Sequence, residues 1–173
     1  MKLLGISGSL RATSSTAALV AAIRGMLRPG DTLDVYAGLG ELPHFSPDLD
    51  VEPPPGSVGT LRAAIGASDA LVITSPEYAH GMPGSLKNAL DWLVSAAEPI
   101  AKPVLLVCAS PGGAVHAHGQ LLEVLRTMSM QVVDGGAHVY SRAKLDTNGD
   151  VSDEVMLATL RAGVAALYAT ISS

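Results

Sequence analysis

Short apolar runs and helical patterns follow one another along the chain in a regular order. Runs of four to eight residues that are apolar throughout are typical of strands buried in a parallel sheet. Short runs of mainly apolar residues predict five strands in this chain: Lys2 to Ile6, Thr32 to Tyr36, Leu71 to Ile73, Val104 to Cys108, and Val132-Val133 continued by His138 to Tyr140. Gly135 and Gly136 interrupt the fifth of them, so its bounds are open.

Between the strands, apolar residues recur at the three- and four-residue spacing of one helix face. Ser14, Ser15 or Thr16 is expected to cap the first helix and Pro29-Gly30 to end it, whereas Pro83 begins the third and Ser152 with Asp153 caps the last. The apolar positions of the five predicted helices are Leu19, Val20, Ile23 and Leu27; the segment from Val58 to Ala67; Leu86, Leu90, Leu93 and Val94; Leu121, Leu122, Leu125 and Met128; and Met156, Leu160, Val164, Leu167 and Ile171.

Strands that alternate with helices indicate an α/β fold, a parallel sheet covered by helices on both faces. The length of 173 residues fits one domain, residues 1–173. Residues 37–57 form a connection rich in Gly and Pro that is too long for a simple turn. Ligands of such sheets bind beyond the carboxyl ends of the strands, so the loops after strands one, three and four are the candidate site.

Composition narrows the class of protein. Hydrophobic residues make up 48% of the chain and charged residues 16%, which excludes wholesale disorder. A net charge of -5 argues against nucleic acid and anionic membranes as partners. No apolar run was expected to approach the roughly 20 residues of a membrane span. The single cysteine, Cys108, cannot form an internal disulfide, and we expect a cytoplasmic protein.

The loop after the first strand, Ser7 to Thr16, concentrates hydroxyl groups and Arg11 before a helix. Helix N-termini attract anions, and a guanidinium can bond two phosphate oxygens. The loop lacks the Gly-Lys-Ser/Thr of a P-loop, the G-x-G-x-x-G of dinucleotide-binding folds and the G-x-S-x-G of a nucleophile elbow. An ordinary helix cap is the plain alternative, and a phosphomonoester is the ligand that the loop favours.

The loop after the third strand carries the most specific motif of the chain. It reads Ser-Pro-Glu-Tyr-Ala-His-Gly-Met-Pro-Gly-Ser-Leu-Lys-Asn-Ala-Leu-Asp-Trp from Ser75 to Trp92. Together with Gly8 to Arg11, it resembles the NADPH-dependent FMN reductase family, whose relatives include quinone, chromate and azo-dye reductases. Ala79 stands where the family has Asn, and Thr16 likewise replaces an Asn. The resemblance covers the whole chain and implies a flavodoxin-like three-layer sandwich with strand order 2-1-3-4-5.

The resemblance also implies which residues bind FMN, and it assigns the chemistry to the flavin with no catalytic side chain. The first loop would hold the phosphate, the second would line the isoalloxazine, and the third, which matches more loosely, would flank the pyrimidine end. The candidate cofactor-binding residues are Ser9, Arg11, Ser14, Ser15, Thr16, Pro76, Glu77, Tyr78, Ala79, His80, Gly81, Ser110, Gly112, Gly113 and His116.

Several residues have plainer interpretations. His116 and His118 form an H-x-H without a supporting cluster of Cys or carboxylates, so we expect no metal site. Cys108 lies within an apolar run and is expected to be a small buried hydrophobe. Glu77 is a candidate general acid or a structural carboxylate. The resemblance places the third helix at a subunit interface, so Asp91 and Trp92 are candidate interface residues.

The leading hypothesis is an FMN-dependent NAD(P)H oxidoreductase. Electrons would pass from NADPH or NADH through FMN to quinones, flavins, azo compounds or metal oxyanions by a ping-pong mechanism. The alternatives are a flavodoxin-type electron carrier that does not react directly with NAD(P)H, and a non-redox module that binds another phosphate. The resemblance implies a homodimer or homotetramer.

Overall fold

A computed structural model describes residues 1–11, 14–133, 139–140 and 146–172. Within them six strands and five α-helices alternate along the chain. The strands are β1 (Lys2–Ser7), β2 (Thr32–Val35), β3 (Ala70–Ser75), β4 (Pro103–Ala109), β5 (Gln131–Val132) and β6 (Val139–Tyr140). The helices are α1 (Ser15–Arg24), α2 (Gly56–Gly66), α3 (Gly84–Asp91), α4 (Val115–Thr127) and α5 (Glu154–Ile171).

All of these strands pair in parallel in one sheet of order β2-β1-β3-β4-β5, which confirms the expected fold class. The fifth position is shared by two short strands on the same side of β4. Val132 of β5 pairs with Val104 at the start of β4, and Val139 of β6 pairs with Cys108 near its end. The interruption expected at Gly135 and Gly136 lies outside the described residues.

Two apolar layers cover the sheet, one on each face. Alternate side chains of β3 illustrate the division: Leu71 and Ile73 belong to the layer with α2, α3 and α4, whereas Val72 belongs to the layer with α1 and α5. Strand side chains alternate between faces, so a strand buried on both sides must be apolar throughout. This is why β3 and β4 read as continuous apolar runs, and the result is a three-layer sandwich.

Two helices end earlier than their apolar patterns predict. α1 ends at Arg24 rather than at Pro29, because the N–H of Gly25 closes the last turn and the Arg24 guanidinium bonds the Leu33 carbonyl of β2. After α3 the chain tightens into three-residue turns, with Val94 N–H donating to the Asp91 carbonyl. The tighter turn rotates Val94 away from the core, and its side chain is exposed rather than buried as expected.

The long connection, residues 37–57, contains two short 3-10 turns and is fastened to α3. Asn88 accepts a hydrogen bond from the Phe45 N–H and donates one to the Pro43 carbonyl, and the indole N–H of Trp92 donates to the same carbonyl at 2.8 Å. The Phe45 ring packs edge-on against Trp92. Trp92 is fully buried within its own chain, so its assignment to a subunit interface was wrong.

Helix α5 is long and apolar enough to match a membrane span, contrary to the expectation that no segment approaches one. Its buried side chains, which include Met156, Leu160, Val164 and Leu167, pack on the sheet in the same layer as α1. Core helices of soluble proteins share this length and composition.

Candidate active site at the carboxyl edge of the sheet

A cavity of about 240 Å³ lies where β1, β3 and β4 end. The ends of neighbouring parallel strands meet at this edge, so loops that are far apart in the sequence form one site. Its lining residues are Ser9, Arg11, Ser14, Ser15, Thr16, Pro76, Glu77, Tyr78, Ala109, Ser110 and Pro111.

One end of the cavity is formed by hydroxyl groups around the start of α1. Ser14 caps this helix, since its side chain accepts from the Ala17 N–H at 3.1 Å. The buried Thr16 hydroxyl lies 2.9 Å from the Ser14 oxygen and 3.0 Å from the Ser7 oxygen. The three hydroxyls therefore form a connected chain that holds the Ser14 oxygen beside the first N–H groups of α1, which a helix leaves unpaired.

The lining residues that follow β3 and end β4 are less polar and include Pro76, Tyr78, Ala109 and Pro111. Tyr78 begins a tight hairpin in which the N–H of Tyr78 donates to the Gly81 carbonyl and the N–H of Gly81 donates back. Ala79 and His80 have φ of 49° and 58°, the left-handed pair of a type I′ turn. Asn and Gly favour these positions, so the turn is formed here by residues that adopt it at a cost.

Glu77 lines the cavity but its carboxylate faces the start of α4. One oxygen accepts from the N–H groups of both His116 and Ala117 at 2.9 Å. Ala114, the residue before the helix, provides no side-chain cap, so Glu77 satisfies the first-turn donors from another loop. This geometry is that of a structural carboxylate, the second of the two interpretations offered for Glu77.

Two further contacts fasten the hairpin to α4. The imidazole rings of His80 and His116 stack with their centroids 4.4 Å apart and their planes 19° from parallel. The Gln120 side chain accepts from the Met82 N–H at 3.1 Å. Together with Glu77, these contacts hold the second and third loops together as adjoining walls of the cavity.

The structure therefore divides the candidate residues into two groups. Nine of them line the cavity: Ser9, Arg11, Ser14, Ser15, Thr16, Pro76, Glu77, Tyr78 and Ser110. The other six do not line it and lie in the hairpin, in the third loop or in the first turn of α4: Ala79, His80, Gly81, Gly112, Gly113 and His116. Two lining residues, Ala109 and Pro111, were missed; they flank the predicted Ser110, and the end of an apolar strand was the only signal for them.

Cys108 adjoins the site but is buried. Burial, and next the negative charge of Glu77, raise the pKa of its thiol to about 12. A thiol with so high a pKa is not a thiolate nucleophile at neutral pH. The interpretation of Cys108 as a buried hydrophobe agrees with this environment. In the described part of the chain, no three His, Cys, Asp or Glu residues are grouped closely enough to hold a metal ion.

The donor set fits the phosphate of FMN. Hydroxyl groups, one guanidinium and a helix N-terminus all donate hydrogen bonds to phosphate oxygens, whereas the carboxylate of Glu77 is engaged with α4. Gly8 lets this loop pass close to β3 and α3, because a Cβ atom there would lie 3.1 Å from a Leu86 methyl group and 3.3 Å from the Ser75 hydroxyl. The less polar end of the cavity suits a planar ring.

Comparison with known proteins agrees with this geometry. The model of the family described as NADPH-dependent FMN reductase matches residues 1–144. The chain belongs to the NADPH-dependent FMN reductase family. Membership makes the protein an oxidoreductase with FMN as its cofactor and NAD(P)H as its electron donor.

Individual members of the family and their relatives resemble the chain over most of its length. An NAD(P)H-dependent FMN reductase of Pseudomonas aeruginosa is 32% identical over 160 residues, which cover 89% of this chain and 86% of the relative. A quinone reductase of Pseudomonas putida is 32% identical over 161 residues, 86% of this chain and 83% of its own. The flavoenzyme NAD(P)H:(acceptor) oxidoreductase FerB of Paracoccus denitrificans superposes with a TM-score of 0.85 at 28% identity, over 99% of this chain and 97% of that one.

Proposed function

We propose that this FMN reductase transfers electrons from NADPH or NADH to small planar acceptors, quinones in particular, by a ping-pong mechanism. Flavins, azo compounds and metal oxyanions are further acceptors of the same kind of enzyme. The observation that carries the proposal is the cavity lining, with phosphate donors around α1 and less polar residues at the ends of the third and fourth strands. The quinone reductase relative of Pseudomonas putida supports the choice of acceptor.

We assign the residues of the cavity by the chemistry of its two ends. Arg11 and the hydroxyls of Ser9, Ser14 and Ser15 contact the phosphate, and Thr16 contributes through the Ser14 oxygen that its hydroxyl bonds. Pro76, Glu77, Tyr78 and Ser110 contact the ring system, largely through their backbone. Ala79, His80, Gly81, Gly112, Gly113 and His116 shape the loops that border it.

Bound FMN supplies the redox chemistry, accepting hydride from NAD(P)H and passing electrons to the acceptor. The chain itself orients the ring, excludes water from one of its faces and donates hydrogen bonds from the loop backbone. No acid–base triad is needed for this role, and Glu77 is committed to capping α4. Donor and acceptor use the same cavity mouth in turn, which is the physical basis of ping-pong kinetics.

A visible spectrum tests the proposal directly. The purified protein is incubated with FMN, freed of excess, and then mixed anaerobically with NADPH or with NADH. We expect retained yellow colour that bleaches rapidly, and the rates rank the two donors. Retained colour without bleaching would instead identify a flavodoxin-type carrier, and loss of all flavin would redirect attention to another phosphate ligand.

We further propose that the chain acts as a single cytoplasmic domain, residues 1–173, assembled as a homodimer or homotetramer without nucleic-acid or membrane partners. The family resemblance supports the assembly, and the net charge of -5 supports the absence of polyanionic partners. Light scattering coupled to gel filtration measures the mass in solution. A monomer at micromolar concentration would contradict the assembly.

A further inference from the structure

A second cavity, of about 210 Å³, lies between α5 and the segment that follows α1, and we call it the α5 cavity. The segment after α1 leads into the amino end of β2, whereas the FMN cavity lies at the carboxyl ends of the strands. The two cavities share no lining residue. The α5 cavity is lined by Met26, Arg28, Arg161, Val164, Ala165 and Tyr168.

Two guanidinium groups line the α5 cavity, one from Arg28 before β2 and one from Arg161 on α5. Both side chains are exposed, and neither forms an ion pair with a carboxylate in the part of the chain that the structure describes. The chain as a whole carries a net charge of -5, so this pair of cations is a local exception. A cavity lined by charges of one sign concentrates ions of the opposite sign.

Tyr168 fixes the position of one of these cations. The Arg28 guanidinium lies over the Tyr168 ring, 4.0 Å from its centroid, and the backbone N–H of Arg28 donates to the Tyr168 hydroxyl at 3.0 Å. The neighbouring Asp31 carboxylate accepts from this hydroxyl at 2.6 Å and from the amino-terminal ammonium group. A guanidinium stacked on an aromatic ring still presents its N–H edge to an oxyanion in its own plane.

The rest of the cavity wall is apolar. Val164 is buried at 4% exposure, and Met26 and Ala165 complete the wall beside the Tyr168 ring. Small-ligand sites typically combine apolar walls with a few charged groups that orient the ligand. An inorganic anion would pair with the guanidiniums but leave this wall in water, whereas a carboxylate on an aromatic ring would cover both parts.

We propose that the α5 cavity binds a small aromatic carboxylate. Arg28 and Arg161 hold the carboxylate oxygens, and Met26, Val164 and Ala165 contact the ring. The site lies outside the residues assigned to FMN, so the inference goes beyond electron transfer and does not depend on it.

The test is a titration of the FMN-loaded, ¹⁵N-labelled protein with sodium benzoate, followed by amide chemical shifts. Benzamide, which has the same shape without the charge, is titrated beside it. We expect saturable shifts at Arg28, Val164 and Tyr168, and binding of benzamide weaker by about tenfold or more. Arg161→Ala should weaken benzoate binding about tenfold, the scale of one charge-assisted hydrogen bond at an exposed site. Arg126→Ala, an exposed arginine of α4 outside the cavity, is the matched control and should leave it unchanged.

A second pair of variants tests the apolar wall. Ala165→Phe fills the cavity and is expected to abolish benzoate binding, whereas Ala162→Phe, at an exposed α5 position that does not line it, should not. NAD(P)H oxidation should be the same in Arg161→Ala and the wild type, because the FMN cavity is separate.

Four results would overturn the inference. They are the absence of saturable shifts within the solubility range of benzoate, shifts confined to the loops of the FMN cavity, equal binding of benzamide, and inorganic phosphate binding as tightly as benzoate. The last result would mean that the guanidiniums hold any anion and that the apolar wall contributes nothing.

Discussion

Thr16 and Arg11, both at the phosphate end of the cavity, contribute to phosphate binding in different ways. Thr16 is fully buried, and its hydroxyl bridges Ser7 and Ser14, so its effect on a ligand passes through the Ser14 oxygen and the start of α1. Arg11 differs because it is exposed and, among the described residues, supplies the only guanidinium of the cavity lining. The two residues therefore stabilise a bound phosphate by different means, one by arranging donors and the other by charge.

Replacement of Arg11 tests this assignment. Arg11→Ala should weaken FMN binding by about 1.5 kcal/mol, the lower end for a charge-assisted hydrogen bond because the group is exposed to solvent. Titration of apo-protein with FMN, followed by the quenching of flavin fluorescence, gives the dissociation constant. Arg161→Ala, an exposed arginine on α5, is the control. Equal FMN affinity in both variants would remove Arg11 from the phosphate site.

The hairpin turn provides a second test at single-residue scale. Ala79 has φ of 49°, where an L-residue with a Cβ atom is strained and Gly or Asn is favoured. Ala79→Gly should therefore raise the free energy of unfolding by about 1 kcal/mol. Ala97→Gly, at an exposed position without a positive φ, should lower it or leave it unchanged. Urea unfolding of the two variants beside the wild type decides between these outcomes, and a destabilised Ala79→Gly would count against strain in the turn.

At the scale of elements, the site depends on how the second loop is joined to α4. Glu77, the His80–His116 stack and Gln120 connect the hairpin to the first two turns of that helix. In the last turn of α3 and just after it, Asn88 and Trp92 fasten the long connection by the Pro43 carbonyl. α3 thus begins directly after the hairpin, and its end is bonded to the long connection.

Replacing Glu77 tests the contact between the second loop and α4. Glu77→Ala leaves two N–H groups of α4 without their partner and should lower the free energy of unfolding by about 1 to 2 kcal/mol, whereas Glu77→Gln keeps an acceptor oxygen and should lose less. Turnover by the FMN-loaded enzyme should survive in Glu77→Gln, because the carboxylate caps a helix rather than transferring a proton. Chemical unfolding and steady-state assays measure the two effects. A Glu77→Gln enzyme that is fully folded and FMN-bound yet inactive would restore the general-acid interpretation.

At the scale of the whole molecule, Asp31 joins the amino terminus to the last helix at the end of the sheet opposite the cavity. The amino-terminal ammonium group donates to its carboxylate, and the Tyr168 hydroxyl of α5 donates at 2.6 Å. These two bonds, in that order, lower the pKa of Asp31. The Arg28 guanidinium lies over the Tyr168 ring, 4.0 Å from its centroid, and completes the cluster.

Acid stability follows from the direction of this shift. A carboxyl whose pKa is lower in the folded state stabilises the fold fully above its ordinary value of 3.8, and that contribution disappears as the pH falls through the lower folded value. Asp31→Asn should therefore be less stable than the wild type at pH 7, with the difference shrinking below about pH 4. Asp34→Asn, an exposed carboxyl on β2, is the control. Urea unfolding between pH 3 and 7 measures the curves, and parallel curves for Asp31→Asn and the wild type would contradict the role of Asp31.

The sequence by itself determined the order of strands and helices and the loops that meet at the site. Both depend on local signals: the apolar runs of β3 and β4, the helical spacing of apolar residues in α5, and the motif from Ser75 to Trp92, which identifies the FMN reductase family. Helix ends were less predictable, because the end of α1 depends on a bond from Arg24 to a strand nine residues away.

Only the tertiary structure decided which side chains are partners. Glu77 and His116 are 39 residues apart, and Trp92 lies 49 residues from the carbonyl that it bonds. No local pattern carries such pairings, so Glu77 had two interpretations and Trp92 was assigned to an interface that its burial rules out. Ala109 and Pro111 were missed as lining residues for the same reason, because the end of a strand forms part of a cavity wall only when neighbouring loops pack around it.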